Sequence, residues 1–195
     1  MSTTTNSAQL PDALIYEMVD GKPIPYRGVQ SVLRGEKMNE DIMGSSYLQS
    51  VIITELLLLL GHKLDRDVYQ LMTNEVGLQF APKSWRAVDL AVYRKEALQG
   101  IPLDNHYLSI APELVIEVDT KAALDVIDNP LGYYQAMTDH LLDFGVKKVV
   151  WIFTETEKIL LAEANCPWTM LDWSEEIELF DNIRVNVANL TISNK

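Results

Sequence analysis

The chain is poor in cysteine: Cys166 is the single one among 195 residues. One thiol excludes an intrachain disulfide framework and suits a reducing compartment. No arrangement of His and Asp around it suggests a nucleophile, so packing is its plain role. Histidine is scarce too. His62, His106 and His140 lie far apart and lack metal-ligand spacing. No glycine-rich phosphate loop occurs, which argues against a nucleotide-driven enzyme. Long apolar runs are missing as well. The richest, residues 51–60, contains Thr54 and Glu55 and is too short to span a bilayer. Residues 1–10 are polar and rich in Ser and Thr, with no basic start, so no signal peptide is expected. A cytoplasmic location without a membrane partner follows as the expectation. Positive charge is the last shortage. Lys and Arg total 16 against 28 Asp and Glu, a net charge of −12. That balance counts against charge-driven binding of nucleic acid, which needs cations for the phosphates. A locally basic groove, or a metal offsetting the acids, remains compatible with it.

What is present is ordinary for a globular protein. Hydrophobic residues make up 48% and charged residues 23%. The length suffices for one domain with a sizeable core. Residues 1–11 read as a loose tail and residues 12–195 as a single domain. Two short extended pieces flank Asp20-Gly21, a favoured hairpin dipeptide, and Pro23 with Pro25 points the second piece to a sheet edge. Residues 27–43 read as irregular. Ser46 with Gln49 three residues later forms a capping box, and a helix follows to about Leu64. Strands are expected at 69–72, 76–80, 86–94 and 114–119. Pro130 opens a second helix that stops at Gly145. Strands at 148–154 and 158–164 follow, then a sheet-rich end at 168–173 and 177–187. Helix, strands, helix, strands is the order of an α/β (α+β) fold with a central mixed sheet flanked by helices.

Two of these strands place carboxylates among apolar residues. Asp89 lies within Ala87-Val88-Asp89-Leu90-Ala91, and Glu117 and Asp119 lie within Val115-Ile116-Glu117-Val118-Asp119. A buried ionised carboxylate is costly unless it is paired, hydrogen-bonded or bound to metal. Strand alternation predicts Ala87, Asp89, Ala91 and Tyr93 on one face, opposite Val88, Leu90 and Val92. It puts Val115, Glu117 and Asp119 together, with Lys121 continuing that face. If the strands are neighbours, Asp89 and Glu117 can meet. Carboxylates with water and a carbonyl suit Mg²⁺ or Mn²⁺, and a nearby lysine could orient a water. The bland alternative pairs Glu117 with Lys121, and Asp89 with Arg86 or Arg94.

The Asp89 strand, followed by Glu117-Val118-Asp119 and then a helix, resembles the PD-(D/E)XK nuclease superfamily. More narrowly, nearly the whole chain resembles the bacterial Uma-type family of restriction endonuclease-like proteins. The matching segments are Tyr16-Glu17-Met18-Val19-Asp20-Gly21, Gly44-Ser45-Ser46-Tyr47-Leu48-Gln49, Thr73-Asn74-Glu75-Val76-Gly77-Leu78, Val88-Asp89-Leu90-Ala91, Ile116-Glu117-Val118-Asp119-Thr120-Lys121 and Leu142-Asp143-Phe144-Gly145-Val146-Lys147-Lys148-Val149-Val150-Trp151. The resemblance implies a restriction-endonuclease-like core and metal-dependent hydrolysis of DNA phosphodiester bonds. It implies Asp89 and Glu117 as metal ligands. An acidic residue of the first helix, here Glu55, would join the metal site, although a salt-bridged or snorkelling glutamate fits Glu55 equally well.

The sequence departs from the superfamily at the lysine. Asp119 stands in its usual place, Lys121 is the nearest substitute, and the helix at 131–144 has no lysine. Either Lys121 takes the role, or Asp119 adds a third acidic ligand, or the site is impaired. Glu75 reads as a solvated strand-end residue or a further ligand. Lys83, Arg86, Arg94, Lys95, Lys147 and Lys148 are candidates for contact with the DNA backbone. A homodimer is compatible with cutting both strands of a duplex. Two rival readings stand beside the endonuclease: a nuclease-fold binding or scaffold protein without catalysis, and a metal-dependent hydrolase of small phosphoesters.

Overall fold

The computed structural model describes residues 10–124 and 129–192. Most of the expected tail therefore lies outside the described residues. A short 3-10 turn, Asp12–Leu14, leads into β1 (Ile15–Val19) and β2 (Lys22–Pro25). Asp20 and Gly21 between them both hold positive φ, 48° and 77°, the backbone that a tight hairpin turn needs. The prolines place β2 at the sheet edge, since they cannot donate to a second neighbour.

Residues 27–43 are not irregular throughout. They contain two short helices, α1 (Val29–Leu33) and α2 (Glu40–Met43). Helices this short show too little periodicity to be read from sequence. The expected long helix is α3 (Tyr47–Lys63), and the Ser46 hydroxyl accepts from the Gln49 amide at 3.2 Å. Ile52, Leu56 and Leu60 recur at four-residue spacing and are wholly buried.

The two strands expected at 69–72 and 76–80 are one strand, β3 (Tyr69–Ala81), paired with β4 (Ser84–Arg94). Thr73 pairs with Leu90 and Val76 with Val88, so Asn74 and Glu75 together oppose Asp89. This is a β-bulge, and both bulged residues are left-handed, with φ of 73° and 58°. Next come β5 (Leu114–Val118), α4 (Pro130–Phe144), β6 (Lys148–Phe153), β7 (Lys158–Glu163) and β8 (Thr169–Asp172). The chain ends in β9 (Glu176–Phe180), β10 (Ile183–Asn186) and α5 (Val187–Ile192). The last hairpin forms its own two-stranded sheet instead of extending the main one, and α5 replaces the end of an expected strand.

The main sheet runs β2-β1-β4-β5-β6-β7-β8, with β3 also on β4. β5 and β6 are parallel, with α4 in the connection between them, and the other pairs are antiparallel. One core lies between the sheet and α3 and joins Ile52, Leu56 and Leu60 to Leu90, Ile116, Val118 and Ile152. Trp173, just after β8, and Ile177 and Leu179 of the terminal hairpin close it. The other core holds Tyr133, Met137 and Leu141 of α4 against Val88, Ala91, Val115 and Trp151. Both faces of β5 are therefore buried, as its continuous apolar run requires.

Simple alternation fails in β4. Leu90 and Val92 face the α3 core, as expected, but Val88 faces the α4 core with Ala91 and Tyr93. The phase slips at Asp89, opposite the bulge. An extra residue on one strand twists its partner locally and redirects the side chains on either side of it.

Candidate active site

The sheet places Asp89 and Glu117 side by side where β4 and β5 separate. Backbone pairing of these strands runs from Val92–Leu114 to Leu90–Ile116 and stops. Beyond it the carboxylates substitute for the ladder. The Asp89 amide donates to Glu117 Oε2 at 3.1 Å, and the Val118 amide donates to Asp89 Oδ2 at 2.8 Å. Each acid thus accepts from the opposite strand, which satisfies amides that the diverging backbone leaves open. Gln49 on α3 ties down the same end, donating to the Val118 carbonyl at 2.6 Å.

The two acids have different surroundings. Asp89 opens on a pocket of about 350 Å³ that Ser45, Ser50, Thr54, Asn74 and Glu75 line together with the apolar Ile53 and Leu57. Burial pushes its carboxyl up to about 6 against the Val118 N–H bond; Glu75 and Asp119 add to the rise and Lys121 opposes it. Glu117 is 2% exposed, and its Oε1 accepts from Arg86 Nη2 at 3.1 Å. Burial raises Glu117 well above an ordinary glutamate, although Arg86 pulls the other way. Arg86 also reaches Glu17 Oε1 at 2.9 Å, an ion pair without an aligned hydrogen bond. Burial alone would lower Arg86, but Glu17 and Glu117 outweigh it and keep the guanidinium charged. Tyr133 donates to the other oxygen of Glu17 at 3.1 Å.

Several expected partners change places. Lys121 pairs with Glu75 on the bulge, not with Glu117. Arg86 pairs with Glu117 and Glu17, not with Asp89. Being 1% exposed, it is no contact for a DNA backbone. Asp119 turns out of the alternating face. Its φ is 60°, and its two oxygens accept from the Thr154 amide at 2.8 Å and hydroxyl at 2.6 Å. The α3 face on this pocket carries Ser50, Ile53, Thr54 and Leu57. Glu55 is rotated well over 90° from that face by helical geometry, so the structure brings together Asp89, Glu117, Glu75 and Lys121 without it.

Among the described residues, no group of three or more His, Cys, Asp or Glu side chains is arranged to hold a metal ion. Mg²⁺ does not need such a cage, because it keeps several waters and takes one or two carboxylates together with substrate phosphates. Asp89 fits that requirement, since Oδ1 accepts no hydrogen bond among the described residues and its pocket holds the oxygen-bearing side chains of Ser45, Ser50, Thr54 and Glu75 beside Ile53 and Leu57.

No family model and no curated protein sequence matches the chain. Its backbone does have a counterpart among solved structures. A DUF820 protein from Anabaena variabilis, named as a candidate nuclease, superposes with a TM-score of 0.65. The match covers 89% of this chain and 88% of that one, at 14% sequence identity. The fold is nuclease-like. At that identity the likeness reaches the fold and stops there, so the chemistry has to be argued from the side chains.

Sequence reasoning passed over Glu17 and Tyr133 as charge partners and gave Thr154 no role. Glu17 did carry a signal, a charge inside an otherwise apolar strand, as did Arg86 in β4.

Proposed function

We propose that the protein is a metal-dependent endonuclease acting on phosphodiester bonds of DNA. The observation that carries the reading is the carboxylate exchange between β4 and β5, which fixes Asp89, at the edge of its pocket, beside the buried Glu117. Asp89 would hold Mg²⁺ or Mn²⁺ through its open oxygen, with Glu117 behind it. The metal would supply charge for the phosphate oxygens and for an attacking water. The chain's own residues set the stage. The Val118 and Asp89 amides orient the two carboxylates, and Lys121 sits beside the site, where its ammonium could orient the water. Glu75 holds Lys121 there from the bulge, a place where proteins often re-aim functional side chains. Asp119 braces the ends of β5 and β6 through Thr154. A dimer would place one such site on each strand of a duplex.

Cleavage of supercoiled plasmid and of single-stranded DNA in Mg²⁺ or Mn²⁺ tests this reading. Inert protein in every metal, with the fold intact by circular dichroism, is the outcome against it. One observation favours a second reading, a nuclease-fold binding protein without catalysis. Both oxygens of Glu117 are already engaged, one by Arg86 and one by the Asp89 amide, and Asp119, in the usual lysine place, is committed to Thr154.

A further inference from the structure

Arg86 serves two carboxylates through a single nitrogen. Its Nη2 lies 3.1 Å from Glu117 Oε1 and 2.9 Å from Glu17 Oε1. Its Nε and Nη1 find no hydrogen-bond partner among the described residues. The guanidinium carbon instead lies 5.6 Å from the centre of the Trp151 ring. A buried arginine seldom leaves donors unused, so this one is held for its charge and not for a spread of hydrogen bonds. Glu17 is 0% exposed and held from its far side by Tyr133, whose hydroxyl is also 3.3 Å from Thr120 Oγ1, between Asp119 and Lys121 in sequence. The network thus runs from β1 through β4 to the acid end of β5.

We propose that Glu17 is a positioning residue for the cation site: by sharing Arg86, it keeps Glu117 in place behind Asp89, the carboxylate that would hold a divalent cation. The inference rests on the reading of Asp89 as the ligand with Glu117 behind it. One Nη2 cannot neutralise two carboxylates at once. With Glu17 present, the cation is divided. With a neutral residue at 17, Arg86 belongs wholly to Glu117 and draws its Oε1 inward. That pull is felt at Oε2, whose place beside Asp89 is set by the 3.1 Å bond from the Asp89 amide. Residues that touch a ligating carboxylate, and not the metal, govern affinity in this way.

Calorimetric titration of Mn²⁺ into the wild type, Asp89→Asn, Glu17→Gln and Tyr133→Phe tests the inference, with a thermal melt of each protein without metal. Wild type binds, and Asp89→Asn, which leaves the network untouched, loses that binding and assigns the heat to this site. Glu17→Gln binds more weakly by roughly tenfold or more, as loss of a supporting partner typically does. Tyr133→Phe, which frees one side of Glu17, weakens binding by a smaller factor. A Glu17→Gln protein that melts lower but binds Mn²⁺ like the wild type overturns the inference and makes Glu17 a purely structural residue. Should Glu17→Gln not fold, unchanged affinity in Tyr133→Phe overturns it and weakened affinity supports it. A wild type that binds no Mn²⁺ removes the ligand reading itself and the inference with it.

Discussion

Asp89 sits between water and the sheet, and its proton records that position. Burial raises its carboxyl from the ordinary 3.8 to about 6. The folded protein therefore favours the neutral acid. The resulting contribution to stability is complete below about pH 4 and is lost as pH rises through about 6, a swing of about 3 kcal/mol. Urea unfolding between pH 4 and 7 should show this fall in the wild type, and Asp89→Asn should flatten it. Mn²⁺ affinity should run the opposite way and rise across the same window, because a ligating carboxylate must first lose its proton. Lys121 is the other residue whose role is specific. Its removal should leave Mn²⁺ affinity near the wild-type value and lower the nicking rate roughly 10²-fold, the usual share of a group that handles a proton. Full activity in Lys121→Ala would take the lysine role away from it.

At the scale of elements, much of the plan was legible. The Ser46 cap, the α3 stripe, the Asp20-Gly21 turn and the Pro130-to-Gly145 helix each rest on a local rule that tertiary packing did not override. The site was legible in its residues and not in its geometry. Alternation assumes an uninterrupted ladder, and no single residue of Thr73-Asn74-Glu75-Val76 announces that two of them will oppose Asp89. That bulge decides where Lys121 finds its partner and why Val88 leaves the face of Leu90. Asp119 misled for a related reason. At φ 60° it has left the strand and works as a clamp on Thr154. Asp119→Ala removes both bonds and leaves the Thr154 amide without its acceptor, which should cost about 1–3 kcal/mol in denaturant unfolding with little change in the slope.

The whole molecule carries −12 in net charge and yet has a fold shared with a candidate nuclease. The acids are not spread evenly with respect to the proposed chemistry. Arg86 offsets part of the buried charge, and Asp89 keeps one oxygen open on its pocket. No described helix is long and apolar enough to cross a membrane. With so few basic residues to meet phosphates, binding of DNA should itself depend on the divalent ion. The decisive comparison is the initial rate at which wild type and Asp89→Asn nick supercoiled plasmid in Mn²⁺. Asp89→Asn preserves the shape and can still accept from the Val118 amide, so a change in rate reports the lost charge. The wild type should nick, and the rate should fall roughly 10²-fold or more in the variant, nearly 3 kcal/mol of transition-state stabilisation. Equal rates in the two proteins, or a folded wild type that leaves the plasmid intact, would contradict this.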